Sequence, residues 1–434
     1  MTTTIIRGGR VIDPSQDIDR VANVVIDNGF IREIAEGASA PGAQVVEAKG
    51  HIVCPGFVDI HACLGEPGFE EDETTATGTA AAVAGGFTSI GCMPDTSPVC
   101  DNRASAEFVK LQAERAGNCN VFPLGTVTKE RHGEELAEIG QLVQGGAVAF
   151  TDGSLPVANA EVMRRALEYT RMFDRPVLCL PVVPELAAGG VMFEGAVSTL
   201  LGLQGIPAAA HDIMVGRDIA LAEMTGGRVH IMCLTTRDSV ERVRQAKAAG
   251  IRITAEVTPH HLTLTDEAMK SFNTNNRVLP PLVPQDHVDA LIAGIKDGTI
   301  DAICSDHTPL AGQKRDCEID HAPPGISGLE TAFAVAAKTL VGGGHIDWPD
   351  LIRLLTSGPA GVLRIDRGTL KPSSPADVVI LDPEREWKVD STAFHSRGTN
   401  NPFHGTTLKG TIELTIVGGH VRYSRDGRAI PSIS

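Results

Sequence analysis

The sequence predicts an α/β fold in which a (β/α)8 TIM-like barrel, over residues 55–365, is joined to a small β-sandwich formed by both chain ends, residues 1–54 and 366–434. Two observations predict this fold. The middle of the chain alternates short apolar runs with helical stretches, whereas both ends contain strand-like runs. Eight strands, each followed by a helix or a long loop, is the strand count of such a barrel. A doubly wound open sheet is the alternative, but its dinucleotide-binding version has no support because no G-x-G-x-x-G follows a strand.

Strand-like runs dominate both chain ends. At the N-terminal end they cover residues 4–6, 22–26, 31–34 and 45–48. The pair Asn28-Gly29 separates two of these runs and is a strong hairpin signal, because a type I′ turn needs positive φ at both central residues. Near the other end, residues 376–381 form one run, and a second hairpin turns at Gly418-Gly419. We therefore expect both ends to meet in one small sandwich.

The predicted barrel strands lie in the middle of the chain. They cover residues 57–61, 87–93, 121–127, 147–151, 177–180, 229–234, 251–257 and 300–305. Helical stretches lie between them, and residues 160–172 show the clearest helical period. Four apolar residues fall on one face of that helix: Val162, Met163, Ala166 and Leu167. Proteins with such barrels carry their functional residues at the carboxyl ends of the strands.

The composition excludes several classes of partner. The formal net charge of −16 argues against nucleic acid or an anionic membrane, because both attract clustered lysine and arginine. The nine cysteines form no C-x-x-C pair, which favours a reducing compartment over a disulfide framework. No signal peptide and no apolar run of about 18 residues is visible, so we expect a cytoplasmic protein without membrane contact.

Candidate functional residues stand at the predicted strand ends. In chain order they are His61, Cys63, Asp95, Asp152, Leu180, Cys233 and Asp306. Residues at i and i+2 of a strand point to the same face, so a His-x-His after the first strand would hold a metal ion between two imidazoles. Cys63 stands at the second of these positions. The adjacent His260 and His261 would face opposite sides of an extended chain, which favours a structural role for them.

Several ordered segments resemble the dihydroorotases of the cyclic amidohydrolase superfamily. They include PGFVDIH, GFTSIGCMPDTSPV, ITAEVTPHHLTLTDEA, DGTIDAICSDHTP and GISGLETA, and the likeness extends over essentially the whole chain. The resemblance implies a metal-dependent (β/α)8 barrel with a sandwich made by both termini. It also implies an enzyme that opens or closes the dihydroorotate ring with zinc.

The zinc ligands that this resemblance implies are only partly present. Family members have a His-x-His after the first strand, an acidic residue or modified lysine after the fourth, one histidine each after the fifth and sixth, and an aspartate after the eighth. His61 and Asp306 match this pattern, and Asp152 keeps an acidic position that is followed by Gly153. Three positions where members have histidine hold other residues: Cys63, Leu180 and Cys233.

The resemblance also shows altered substrate contacts. Gly65 stands where members have an arginine for the substrate carboxylate, and Asp95 stands where they have an asparagine. Leu279 replaces another polar contact. Loss of the arginine cation and gain of the Asp95 negative charge weaken the binding free energy of an anionic ligand by roughly several kcal/mol. We therefore do not expect dihydroorotate to bind in the family manner.

Two interpretations of the altered metal site are open. His61, Cys63, Cys233 and Asp306 offer four ligands for zinc, a set that would leave no open position. Apolar packing of the two cysteines, with His61 and Asp306 as a buried pair, is the favoured interpretation. We therefore expect that no residue is catalytic and that Asp306 only retains the position of a catalytic residue of the family. We also expect no cofactor, and a bound zinc ion is the alternative.

The favoured hypothesis for function is a non-catalytic dihydroorotase homologue. The resemblance implies that such a chain assembles with aspartate carbamoyltransferase in pyrimidine biosynthesis, as a homodimer within a larger complex. The apolar residues Val191, Met192 and Phe193 of a glycine-rich segment are the expected contact surface. The alternative is a cyclic amidohydrolase with a rebuilt metal site and a less acidic substrate. Leu180 and Gly65 oppose a third hypothesis, an active dihydroorotase with an unusual site.

Overall fold

The structure is a computed structural model that describes residues 3–427. Its strands are β1 (Thr3–Asp13), β2 (Ile18–Asp27), β3 (Phe30–Ala35), β4 (Gln44–Glu47), β5 (Ile52–Pro55), β6 (Phe57–Ala62), β7 (Phe87–Cys92), β8 (Asn120–Gly125), β9 (Ala149–Phe150), β10 (Val177–Cys179), β11 (Met192–Phe193), β12 (Gly205–Ile206), β13 (Val229–Ile231), β14 (Ile253–Val257), β15 (Ala302–Ile303), β16 (Val378–Lys388), β17 (Thr407–Val417) and β18 (His420–Ser424). Its α-helices are α1 (Thr75–Ala84), α2 (Arg103–Ala116), α3 (Ile139–Gly145), α4 (Ala160–Arg171), α5 (Pro184–Ala187), α6 (Ala196–Leu201), α7 (Ala208–Thr225), α8 (Arg237–Ala248), α9 (Pro259–Thr263), α10 (Gln285–Lys296), α11 (Leu329–Ala336), α12 (Trp348–Leu355) and α13 (Ser357–Leu363).

Eight parallel strands form the barrel, in the order β6, β7, β8, β9, β10, β13, β14 and β15. A parallel bridge between Ala62 and His307 brings the chain after β15 against β6, so the barrel is nearly closed. Each strand matches one of the eight predicted runs, although β9 and β15 contain only two residues. Strands β6 and β7 approach closely at Gly91, where a Cβ atom would lie 2.1 Å from the Ile60 carbonyl oxygen. The predicted (β/α)8 fold is confirmed.

Helix α4 shows how the apolar pattern packs the outer layer. The Asn159 side chain caps its N-terminus by accepting hydrogen bonds from the backbone N–H groups of Glu161 and Val162. The four residues of the predicted apolar face are buried: Val162, Met163, Ala166 and Leu167. Burial of each larger apolar side chain stabilises the fold by roughly 1.5–3 kcal/mol.

None of the helices within residues 3–427 is long and apolar enough to cross a membrane.

The two chain ends meet in one mixed sheet, where the sequence predicts a small sandwich. The strand order is β18, β17, β16, β5, β1, β2 and β3, and β4 also pairs with β1. Strand β16 pairs antiparallel with β5, which joins the C-terminal part of the sheet to the N-terminal part. The predicted turns Asn28-Gly29 and Gly418-Gly419 connect β2 to β3 and β17 to β18, and all four residues have positive φ. The sheet has its own apolar core, which includes Ile6, Val11, Val24, Val53, Val378 and Ile416.

The expected contact surface at Val191, Met192 and Phe193 is buried, so that prediction is wrong. These side chains are 6%, 1% and 8% exposed. Strand β11 pairs with β12, and Val191 and Met192 pack against Met269 and Ile319. The apolar residues of this segment therefore serve an internal core and offer no free surface to a partner.

Candidate active site

A cavity of about 310 Å³ opens at the carboxyl ends of the barrel strands. Six of the predicted strand-end residues line it: His61, Cys63, Asp95, Leu180, Cys233 and Asp306. Much of the remaining wall is apolar, with Leu64, Phe69, Met93, Met232, Leu279 and Leu310. The cavity therefore lies where the barrel prediction places the functional site.

His61, the next-to-last residue of strand β6, forms a buried ion pair with Glu256 of β14. Its Nε2 atom lies 2.5 Å from Glu256 Oε1 and 3.4 Å from Cys304 Sγ. Burial opposes charge on both partners, but their mutual attraction outweighs it. The pKa of His61 is raised well above its usual value, and the pKa of Glu256 is lowered. The hydrogen-bond partner of His61 is thus Glu256 and not Asp306 as predicted.

Asp306 follows β15 and lines the cavity. Its φ of 52°, like the 46° of Cys233, lies in the left-handed region, which costs a non-glycine residue roughly 1–3 kcal/mol and is common at functional sites. Its Oδ2 atom lies 3.7 Å from His260 Nε2, beyond hydrogen-bond distance. Burial raises the pKa of Asp306 to about 7, although the charge of His61 acts in the opposite direction. A carboxyl group with such a pKa can accept and release a proton near neutral pH.

Asp152 follows β9 but is bonded within a neighbouring loop. Its Oδ1 atom accepts hydrogen bonds from the backbone N–H groups of Val127 at 2.8 Å and Thr128 at 2.9 Å. Its Oδ2 atom accepts one from the Thr128 hydroxyl at 2.5 Å. These three bonds satisfy the buried carboxylate, so Asp152 holds the loop after β8 and does not line the cavity.

Gly65 adopts a backbone conformation that excludes a side chain. Its φ is 65°, and a Cβ atom would lie 2.4 Å from the Glu73 carbonyl oxygen and 2.7 Å from that of Phe69. Both obstacles are backbone atoms, which cannot move aside as a flexible side chain can. The position that the resemblance assigns to an arginine therefore cannot carry one unless the loop rearranges.

Asp95 occupies space that Gly153 leaves open. A Cβ atom on Gly153 would lie 1.6 Å from Asp95 Oδ1. The Asp95 Oδ2 atom accepts hydrogen bonds from Arg131 Nη2 at 3.0 Å and from the Ser154 hydroxyl at 2.8 Å. The charge of Asp95 is therefore paired, and it repels an anionic ligand less than the sequence alone predicts.

The two adjacent histidines lie in the short helix α9 and not on a strand as predicted. His261 contacts Thr258 Oγ1 at 2.7 Å and the Pro280 carbonyl oxygen at 3.0 Å, which fits the expected structural role. The Nε2 atom of His260 is buried without a hydrogen-bond partner among the described residues, and it lies 3.7 Å from Asp306 Oδ2.

The zinc ligands implied by the family pattern do not come together. Leu180 offers no donor atom, Asp152 is bonded in its loop, and Cys63 lies apart with its Sγ atom 4.0 Å from Thr308 Oγ1. A different buried group has one donor atom of each side chain within 4.8 Å of the others: His61, Cys233, Glu256 and Cys304. Imidazole, thiolate and carboxylate are the ligand types that zinc takes in proteins. The residues present thus fit a metal ion through a set that differs from the one predicted.

Three of the residues that shape this site were not predicted from the sequence. The sequence does contain a clue to Glu256. It is the single acidic residue in the apolar run ITAEV, and a buried carboxylate needs a partner. Cys304 stands in an apolar run of the sequence, and its contact with His61 depends on how the first and last barrel strands meet. Arg131 stands in a loop of polar residues and has no distinguishing pattern.

The parallel barrel, the cavity at its carboxyl rim and the β-rich domain from both termini define a protein with the hydantoinase-type amidohydrolase fold. The structure is similar to the L-hydantoinase (dihydropyrimidinase) from Arthrobacter aurescens, with a TM-score of 0.86 and 23% identity over 97% of this chain and 96% of that one. It is also similar to the dihydropyrimidinase from Brevibacillus agri NCHU1002, with a TM-score of 0.84 and 22% identity over 97% of this chain and 95% of that one. At these identities the likeness concerns the fold alone.

Sequence comparison identifies the family. Residues 50–239 match the model of the dihydro-orotase-like family. The chain is 47% identical to a dihydroorotase of Solibacter usitatus over 98% of this chain and 99% of that protein. It is 48% identical to a dihydroorotase of Pelotomaculum thermopropionicum over 96% of this chain and 97% of that protein. The chain belongs to the dihydroorotase family of cyclic amidohydrolases.

Proposed function

We propose that this chain is a cyclic amidohydrolase with a rebuilt metal site, acting on a ring that lacks the carboxylate of dihydroorotate. Relatives similar over nearly their whole length are named as dihydroorotases, which supports a hydrolase on cyclic amides. The observation that carries the proposal is the cavity itself, which is largely apolar and has the Asp306 carboxyl group in its wall. This candidate takes precedence over the non-catalytic role that the sequence favoured.

The charges around the cavity support a neutral substrate. None of the described residues in the cavity wall is a lysine or an arginine. Lys314 Nζ lies 2.5 Å from Asp72 Oδ2, and Arg131 is paired with Asp95, so these two cations beside the cavity are already paired with carboxylates. Binding a carboxylate here would bury an unpaired negative charge, which costs several kcal/mol or more. A neutral ring avoids this cost and matches the apolar wall.

Asp306 supplies the proton transfer that ring opening needs. Attack of water on the ring carbonyl releases a proton, and cleavage of the C–N bond requires a proton on the leaving nitrogen. One carboxyl group with a pKa near neutrality can take up the first proton and deliver the second. A metal ion held by the group around His61 would supply Lewis-acid polarisation of the carbonyl when bound.

A matched pair of rings tests this proposal. Dihydrouracil and dihydroorotate share one ring and differ in the carboxylate. We expect the zinc-supplemented protein to open dihydrouracil measurably and to show no opening or closing of dihydroorotate above background, because no free cation meets the carboxylate. Ring opening is followed by the loss of ultraviolet absorbance and by chromatography of the products. Turnover of dihydroorotate at a rate comparable to that of dihydrouracil would contradict the proposal.

A second candidate function is a non-catalytic assembly partner of aspartate carbamoyltransferase, as a homodimer within a larger complex. The observation that favours it is the loss of the family ligand set, in particular Leu180, which cannot ligate zinc. A metal ion with two thiolate ligands and one carboxylate ligand is also a weaker Lewis acid than one held by neutral imidazoles. This candidate predicts a purified protein without turnover on either ring.

Mixing the chain with aspartate carbamoyltransferase from the same organism tests the second candidate. If it holds, size-exclusion chromatography with light scattering will show a complex larger than either component at micromolar concentration. The interface test uses the exposed apolar residues Leu200, Ile213 and Met224, which are 71%, 57% and 61% exposed, since Phe193 is buried. An aspartate at Ile213 should weaken the complex if α7 forms the contact. Two unshifted peaks from the unmodified proteins would reject the assembly role.

A further inference from the structure

A buried group at the cavity wall contains two cysteines, Cys233 and Cys304, that lie beside the ion pair of His61 and Glu256. Cys304 Sγ lies 3.4 Å from the Nε2 atom of His61, and Cys233 belongs to the same group. By contrast, Cys92 Sγ contacts the Met93 carbonyl oxygen at 3.7 Å. A buried free cysteine ordinarily acts as a small apolar side chain. Apolar packing does not require two thiols beside a buried ion pair.

The four side chains come from four strands of the barrel, which fixes their positions. His61 and Glu256 lie in β6 and β14, Cys304 directly follows β15, and Cys233 lies two residues after the end of β13. All four are at least 97% buried. Sites supported by rigid strands hold ligand atoms more precisely than sites on loops do.

The donor types and the distance between His61 and Cys304 match a thiophilic divalent ion, whose binding would require the 2.5 Å contact between His61 Nε2 and Glu256 Oε1 to open. With zinc–sulfur bonds of about 2.3 Å and zinc–nitrogen bonds of about 2.0–2.1 Å, two ligands of one tetrahedral ion lie roughly 3.3–3.8 Å apart. The 3.4 Å between His61 Nε2 and Cys304 Sγ falls within that range. The second carboxylate oxygen, Glu256 Oε2, lies 3.2 Å from His230 Nε2, so the Glu256 carboxylate is held between two histidines.

We propose that His61, Cys233, Cys304 and Glu256 form a binding site for a zinc-class divalent metal ion at the cavity wall and without Cys63. The inference rests on the proposed function in that it names the ligands of the rebuilt metal site, and metal binding is tested separately from ring opening. Two thiolates and one imidazole select soft and borderline ions over magnesium or calcium, which prefer oxygen ligands. The site replaces the histidine-rich set of the family with a sulfur-containing one.

Metal titration of the full-length protein tests the proposal without any activity assay. After treatment with a chelator and a reductant, we expect Cd²⁺ to bind one ion per chain and to produce an ultraviolet thiolate-to-metal charge-transfer band. Co²⁺ should give the intense visible bands of a tetrahedral site. Mg²⁺ should not compete with either ion. Cys304→Ser should lower the Cd²⁺ affinity by at least roughly 10-fold, the lower end of the effects reported for altered metal-site partners.

Two matched variants serve as controls. Cys63→Ser changes a thiol in the cavity wall and Cys92→Ser changes a buried thiol away from the group, and both should keep the Cd²⁺ band. Loss of the band in Cys63→Ser with retention in Cys304→Ser would overturn the assignment.

X-ray absorption of the zinc-loaded unmodified protein tests the same site if Cys304→Ser does not fold. Two sulfur neighbours at about 2.3 Å support the site, and a sulfur-free shell or the absence of stoichiometric metal overturns it. Metal binding without ring opening would reject the hydrolase proposal but leave the metal-site proposal standing.

Discussion

Replacing Asp306 by asparagine is expected to reduce the opening of dihydrouracil by roughly 10²–10⁴-fold, the usual contribution of a general acid–base group. The amide keeps the size and one hydrogen-bonding oxygen of the carboxylate, but it cannot take up a proton. Among residues 3–427, the Asp306 carboxylate of the cavity wall has no hydrogen-bond partner, and His260 Nε2 lies 3.7 Å from its Oδ2 atom. The loss should therefore appear in kcat, while KM changes little.

Asp95→Asn is the matched control for this experiment. Asp95 also lines the cavity, but its charge is paired with Arg131 at 3.0 Å. Its replacement should lower turnover by much less than the replacement of Asp306, because it takes no part in proton transfer. Both rates are measured in initial-velocity assays with equal metal content. Turnover in Asp306→Asn equal to that of the unmodified protein would contradict the assigned role and leave the assembly function as the better account.

The fold was predictable because its signals are local and periodic. The eight apolar runs of the middle segment and the helical period of residues 160–172 each specify one element without knowledge of the rest. The turn pairs Asn28-Gly29 and Gly418-Gly419 were equally clear, since few sequences tolerate positive φ at two successive positions. Non-local pairing was also inferred for the chain ends, because strand-like runs at both termini need a common sheet to satisfy their backbone groups.

The site was predictable only in part. The ends of the predicted strands indicate which side chains lie near the cavity, but they do not indicate which side chains contact one another. His61, Cys233 and Asp306 lie at the cavity, as the barrel rule requires. Which of them meet was not predictable, since the partner of His61 is Glu256 from inside a strand. Asp152 illustrates the same limit: its position suggests a ligand, but Thr128 and its neighbour bind both carboxylate oxygens.

The segment containing Phe193 shows why exposure was harder to predict than secondary structure. Its glycine-rich sequence suggested a loop with free apolar side chains. The chain instead forms the short pair of β11 with β12, and Phe193 packs against Val283 and Val288. A contact between segments so far apart in sequence leaves no periodic pattern to find.

Breaking the buried pair of His61 and Glu256 is expected to have the largest effect on stability. Glu256→Gln, measured with a chelator present, should lower the free energy of unfolding by roughly 3–5 kcal/mol, the usual cost of removing one partner of a buried ion pair. The pair is 2.5 Å apart, and both side chains are almost fully buried. Water cannot replace the lost carboxylate charge, so His61 must either remain charged without a partner or lose its proton. Guanidinium denaturation at neutral pH gives the change.

An exposed pair provides the comparison that isolates burial as the cause. Arg103 and Glu107 are 2.7 Å apart on α2, and their side chains are 53% and 51% exposed. Glu107→Gln makes the same chemical change and should cost less than roughly 1 kcal/mol, because water and salt screen a surface pair. The double variant His61→Gln with Glu256→Gln should recover part of the loss, since it leaves no charge unpaired. A loss below 1 kcal/mol in Glu256→Gln would show that His61 is neutral in the folded protein and that the contact is an ordinary hydrogen bond.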